Sequence, residues 1–159
     1  MISCAETGQD GDTLKGVTWP RPRFTSNSDN TVTDNLTGLM WAKNANSAGS
    51  PKTWTEALTY CNDLTIDTYT DWRLPNRFEL ESLLDLAYSN PALSNDAGTG
   101  QWNGLAGSSF TGVQLDYYWS STTGADLTSR ALRVGLYPGD VGRGDKGSTN
   151  SVWPVRGGQ

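Results

Sequence analysis

A loop-rich α+β fold is predicted by three observations. Short runs of strand composition open and close the chain: "TVTDN" and "LMWAK" early, "DYYWSSTT", "RALRVGLY" and "NSVWPVRGG" late. Between them stand two segments with a written helix start, "TWTEALTYCNDLT" and "NRFELESLLD". The composition is 35% hydrophobic and 18% charged with 7 tryptophans and 18 glycines, so the core must lean on rings and the surface on Ser, Thr and Asn. A chain of 159 residues suffices for one domain, taken as 1–159 with residues 1–10 as a loosely held tail.

Each element has its own justification. Pro20 and Pro22 remove ladder donors, which puts the first strand, near Phe24, at a sheet edge. The cluster Asn27 to Asn30 turns into the second strand, and Leu36-Thr37-Gly38 turns into the third. A helix is expected over 53–65, where Thr53 and Glu56 have capping-box spacing and Trp54, Ala57, Leu58, Cys61 and Leu64 form one apolar stripe. A second is expected over 76–87. Pro75 keeps Leu74 extended, Asn76 caps, Glu79 closes the box, and Leu80, Leu83, Leu84 and Ala87 form the stripe. Both stripes are expected on one sheet that contains Trp119 and Trp153. From Tyr88 to Phe110 the chain reads as irregular, held by anchors such as Trp102. In the next strand Leu132, Val134 and Leu136 alternate with Arg133, Gly135 and Tyr137, and the glycine-rich "PGDVGRGDKGS" reads as the turn region before the last strand.

Composition also narrows the function. There is no histidine, so the commonest general base and metal ligand is missing. No apolar run approaches the roughly 20 residues of a membrane span, and "MISCAETGQDGD" lacks the charged start and apolar middle of a secretory leader. Net charge is −5, yet residues 127–159 carry Arg130, Arg133, Arg143, Lys146 and Arg156 against Asp140 and Asp145, a basic segment on an acidic body.

The ordered motifs "TVTDNLTGLMW", "YCNDL", "DWRLPNRFELESLLD", "YYWSSTT" and "VWPVRGG" resemble the C-terminal domain of the bacterial collagen-like adhesin Lcl, over nearly the whole chain. That resemblance implies a C-type-lectin-like fold, two helices packed on a twisted, mostly antiparallel sheet. It also implies an extracellular or cell-surface adhesion domain for sulfated or otherwise anionic glycans. A looser likeness, through "WRLP" and "VRGG", is to the formylglycine-generating enzyme superfamily, whose catalytic members use a late pair of cysteines. Cys4 and Cys61 are both early, so no enzymatic activity is expected.

The candidate residues follow from charge and alternation. If Leu132, Val134 and Leu136 face inward, Arg133 and Tyr137 face outward, and the following turn returns Arg143 and Lys146 toward them as a ligand-binding set. Tyr117 is a further candidate ring. Partners are then an anionic glycan or a surface protein, with no nucleic acid and no membrane insertion. The alternatives are a protein-binding display scaffold, or a homotrimerising module without its own ligand. No cofactor is required, although Asp10, Asp12, Asp29 and Asp34 sit in Asp/Asn loops of the kind that hold structural calcium. Cys4 and Cys61 allow one disulfide, and Cys61 on an apolar stripe equally suits a buried free thiol. Arg73 is expected to pin backbone carbonyls or a carboxylate. Arg143-Gly144-Asp145 is read as turn composition.

Overall fold

The computed structural model describes residues 18–105, 108–137 and 139–157. Asp10, Asp12, Cys4 and the 1–10 tail lie outside them. Among the described residues seven strands and two helices run in the order β1 (Phe24–Ser26), β2 (Thr31–Asp34), β3 (Met40–Ala42), α1 (Trp54–Asn62), α2 (Arg77–Glu81), β4 (Tyr117–Thr123), β5 (Arg130–Gly135), β6 (Asp140–Asp145) and β7 (Val155–Arg156). The strands form two antiparallel sheets, one ordered β1-β2-β3-β7 and one ordered β4-β5-β6. The expectation of one sheet holding Trp119 and Trp153 is therefore corrected. Trp119 belongs to β4, whereas Trp153 precedes β7, and its ring packs edge-on against Trp41 and Phe110 in the core. β1 is an edge strand, as the two prolines require.

Both helices start where expected and stop early. In α1 the Thr53 N–H and hydroxyl both donate to the Glu56 carboxylate, at 2.9 and 2.7 Å. Ala57 and Cys61 are fully buried, but Trp54, Leu58 and Leu64 are only partly covered. In α2 the Asn76 side chain accepts from the Glu79 N–H at 3.0 Å and Glu79 accepts from the Asn76 N–H at 2.7 Å. The Ser82 hydroxyl then donates to the Glu79 carbonyl, a local bond that competes with the helical ladder. The chain continues as tighter turns through Leu83 and Leu84, which bond Leu80 and Glu81 three residues back. Leu80 and Leu83 are buried while Ala87 is exposed, so the stripe is shorter than its periodicity suggests.

The largest correction concerns "PGDVGRGDKGS". Asp140–Asp145 is a strand, paired along its length with β5. Its glycines are there for room rather than for turning. A Cβ on Gly144 would come within 2.7 Å of the Trp119 ring, and one on Gly142 within 3.2 Å of the Tyr117 ring. The Arg-Gly-Asp tripeptide accordingly lies within β6 and not at a loop tip.

Candidate functional site

Strand register decides which side chains meet. On β4, β5 and β6 the cross-strand partners Tyr117↔Gly135, Trp119↔Arg133, Arg133↔Gly142 and Ala131↔Gly144 share one face. Aromatic rings from β4 and the Arg133 side chain therefore lie across a floor of glycines. The Arg133 guanidinium carbon stands 4.1 Å from the Tyr117 ring centroid, and its Nη1 donates to Asn150 Oδ1 at 3.0 Å. The Tyr117 hydroxyl donates to Asp140 at 2.8 Å, which raises the phenol's pKa. Arg133 Nε and Asn150 Nδ2 are buried donors without a partner among the described residues.

Lys146 continues this face beyond β6, because its N–H bonds the Ser129 carbonyl at 2.9 Å in the same ladder sense. Its ammonium sits 3.8 Å from the Trp54 ring centroid and donates to Thr123 Oγ1 at 2.9 Å. Arg143 does not join it. Its partner in register is Leu132, so it projects from the opposite face, where it ion-pairs with Asp126 and holds that carboxyl below the usual range. Tyr137 lies just past the end of β5 and is exposed. The expected convergence of Arg133, Tyr137, Arg143 and Lys146 is thus corrected: register brings Arg133 and Lys146 to one face and sends Arg143 to the other. The expected alternation also bends, since Val134 and Leu136 are buried but Leu132 and Arg133 are each half-covered.

The basic excess of the C-terminal segment is largely spent inside the molecule. Arg130, Arg143 and Arg156 hold Asp145, Asp126 and Asp71, while Arg23, Arg73 and Arg77 hold Asp34, Glu79 and Glu81. Among the described residues Arg21 and Arg133 are the arginines without a carboxylate partner. Arg133 is the one set against a ring.

Of the calcium set, Asp10 and Asp12 lie outside the described residues, and Asp29 and Asp34 are engaged by other partners. Both Asp34 oxygens accept from Arg23 at 2.8 Å and also from Leu36 N–H and the Thr37 hydroxyl, and Asp29 accepts from the Thr31 hydroxyl. Among the described residues no group of three or more His, Cys, Asp or Glu is placed to hold a metal ion. Cys61 is buried without a disulfide partner among the described residues, and burial pushes its thiol up to about 12. Arg73 behaves as expected. It forks onto Glu79 at 2.8 and 2.6 Å and donates to the Gly157 carbonyl at 2.8 Å, so "DWRLPN" and "VRGG" are tied into one structural knot. Arg156 adds a second tie, to Asp71.

Fold and site define an α+β protein in which Arg133 and Lys146 lie on the rings of Tyr117 and Trp54. The sequence model of the Lcl C-terminal domain matches residues 30–156, and the chain belongs to that family. No curated protein matches it.

Proposed function

We propose that this protein is a non-catalytic binding domain of C-type-lectin-like fold that works outside the cell or at its surface. Its ligand is an extended anionic glycan, held by Arg133 and Lys146 at the two ends of the glycine-floored face, whose middle at Trp119 and Ala131 is covered by α1. One observation carries this reading: Arg133 is stacked on Tyr117 and steadied by Asn150, yet no carboxylate among the described residues neutralises it. A preorganised guanidinium keeps its capacity for sulfate or carboxylate, and less side-chain entropy is lost on binding. Four residue steps of extended backbone run from Gly142, the partner of Arg133, to Lys146, a Cα span of about 13 Å. One sulfate group cannot bridge that, whereas successive charges on a polymer can. The acidic body weakens long-range attraction, so binding depends on these local contacts and fades with salt.

The test is retention on a heparin or sulfated-dextran resin at low salt. Replacing Arg133 and Lys146 together by Ser is expected to abolish retention, and replacing Arg143 by Ser to leave it unchanged, because Arg143 is ion-paired on the other face. If the parent is not retained, or the double variant elutes with it, the glycan reading fails and a protein-binding scaffold takes its place. Light scattering on the same samples decides whether the protein trimerises.

A further inference from the structure

We propose that a recess beside the β2–β3 hairpin is a second binding site, for a single neutral, hydroxyl-rich ring such as one hexose unit. The recess has a volume of about 340 Å³ and is lined by Asn30, Ala42, Lys43, Asn44, Ser47, Ile66 and Thr111. Four separate stretches of chain build it. Lys43 N–H bonds the Asn30 carbonyl at 3.0 Å, Thr111 N–H bonds the Lys43 carbonyl at 2.9 Å, and Ala45 N–H bonds the Thr111 carbonyl at 2.8 Å. The fourth stretch is closed by reciprocal backbone bonds between Ile66 and Tyr69. These ties hold the walls before any ligand arrives, which lowers the ordering cost of binding.

The chemistry of the lining selects the ligand class. Ala42 and Ile66 supply an aliphatic patch for the apolar face of a ring. Around it stand two amides and two hydroxyls with unused capacity. Asn44 Oδ1 accepts from the Asn46 N–H, which leaves its amide hydrogens without a partner among the described residues. Ser47 Oγ is buried without a well-formed hydrogen bond; the Tyr60 hydroxyl is near enough to interact but not in bonding geometry. The Asn30 amide and the Thr111 hydroxyl make only long contacts, of 3.4 Å each, to Asp67 and to the Lys43 carbonyl. Asn30 and Asp67 both hold left-handed backbone, at φ 57° and 52°, on opposite sides of that contact. Among the described residues no carboxylate lines the recess, Asp67 reaching only the Asn30 amide, so a cation is disfavoured. The Lys43 ammonium donates to the Ser26 hydroxyl at 3.0 Å, outside the lining, and keeps its charge, so glucuronate is the comparison that separates a neutral occupant from an anionic one. Paired donors and acceptors over an aliphatic floor match the hydroxyls and C–H face of a neutral sugar.

The recess shares no residue with the Tyr117–Arg133 face, so the two sites succeed or fail separately. The experiment is titration of isotopically labelled protein with glucose, galactose, mannose and N-acetylglucosamine, with glucuronate as the charged comparison, followed by amide chemical shifts. At least one neutral sugar is expected to shift Lys43, Asn44, Ala45 and Thr111 saturably and independently of salt. Thr111→Trp, which fills the recess from an exposed position, is expected to abolish those shifts while retention on sulfated resin persists. Asn44→Asp keeps the accepting oxygen and removes the free donor, and is expected to weaken binding about tenfold. The proposal is overturned if no neutral sugar gives saturable shifts at these amides, if Thr111→Trp and Asn44→Asp both bind like the parent, or if only glucuronate binds and salt removes it.

Discussion

Arg23 is fully buried, and so is its partner Asp34. The guanidinium forks onto the carboxylate at 2.8 Å on both arms, reaches the Ser82 carbonyl, and is flanked by the Trp19 and Phe24 rings. Nothing in the local sequence separates Arg23 from Arg21, because the pairing spans eleven residues and depends on two strands meeting. Removing one member strands a charge in a low-dielectric site, so Asp34→Ala is expected to cost about 3–5 kcal/mol in chemical denaturation. The double change Arg23→Met with Asp34→Leu should cost less than that, since it removes both charges and keeps the volume. A single-variant loss below about 1 kcal/mol would contradict a buried pair. Cys61 is fully buried as well, and its raised pKa makes the thiol a poor nucleophile at neutral pH.

At the scale of elements, α2 shows how a short helix is held by its first turn. For Glu79, burial opposes ionisation, but the Arg73 fork and the Asn76 N–H outweigh it and lower the pKa. A depressed folded pKa contributes stability that is present above the unfolded value of 4.5 and is lost as pH falls through the folded value. Urea midpoints are therefore expected to fall on acidification below about pH 5, and less so in Glu79→Gln, which has already lost this contribution. The alkaline side runs the other way. Cys61 is raised from 9.0 to about 12, so its contribution is complete below pH 9.0 and drains away above it. Tyr118, buried in the core, is raised as well and adds to the same loss. Cys61→Ala is expected to flatten the stability decline between about pH 9 and pH 11, and an unchanged slope would show that the thiol is not responsible. β6 teaches a different lesson: glycine spacing looked like a turn because sequence shows small residues without showing the rings that lie over them.

Across the whole molecule, the larger hydrophobic cluster draws on both sheets, from Phe24, Val32 and Trp41 to Tyr118 and Val134, with Leu80, Leu83 and Trp153 between them. A smaller cluster joins Ala57 and Cys61 of α1 to Trp119 and Ala131. Leu83 is fully buried in the larger one, so Leu83→Ala is expected to cost about 2–5 kcal/mol, and a loss below about 0.5 kcal/mol would remove it from the core. The helix starts, the edge strand at Phe24, the partnered Arg73 and the family were determined by the sequence by itself. Caps, prolines and ordered motifs act within a few residues, where spacing is enough to read them. Tertiary structure alone decided that there are two sheets, that "DVGRGD" is a strand, that Arg23 is buried, and that Arg133 and Arg143 face opposite ways. The burial of Arg23 and the opposite facing of Arg133 and Arg143 depend on how whole strands pair, which no short stretch of sequence shows, and a shift of one residue in register reverses every side chain it carries.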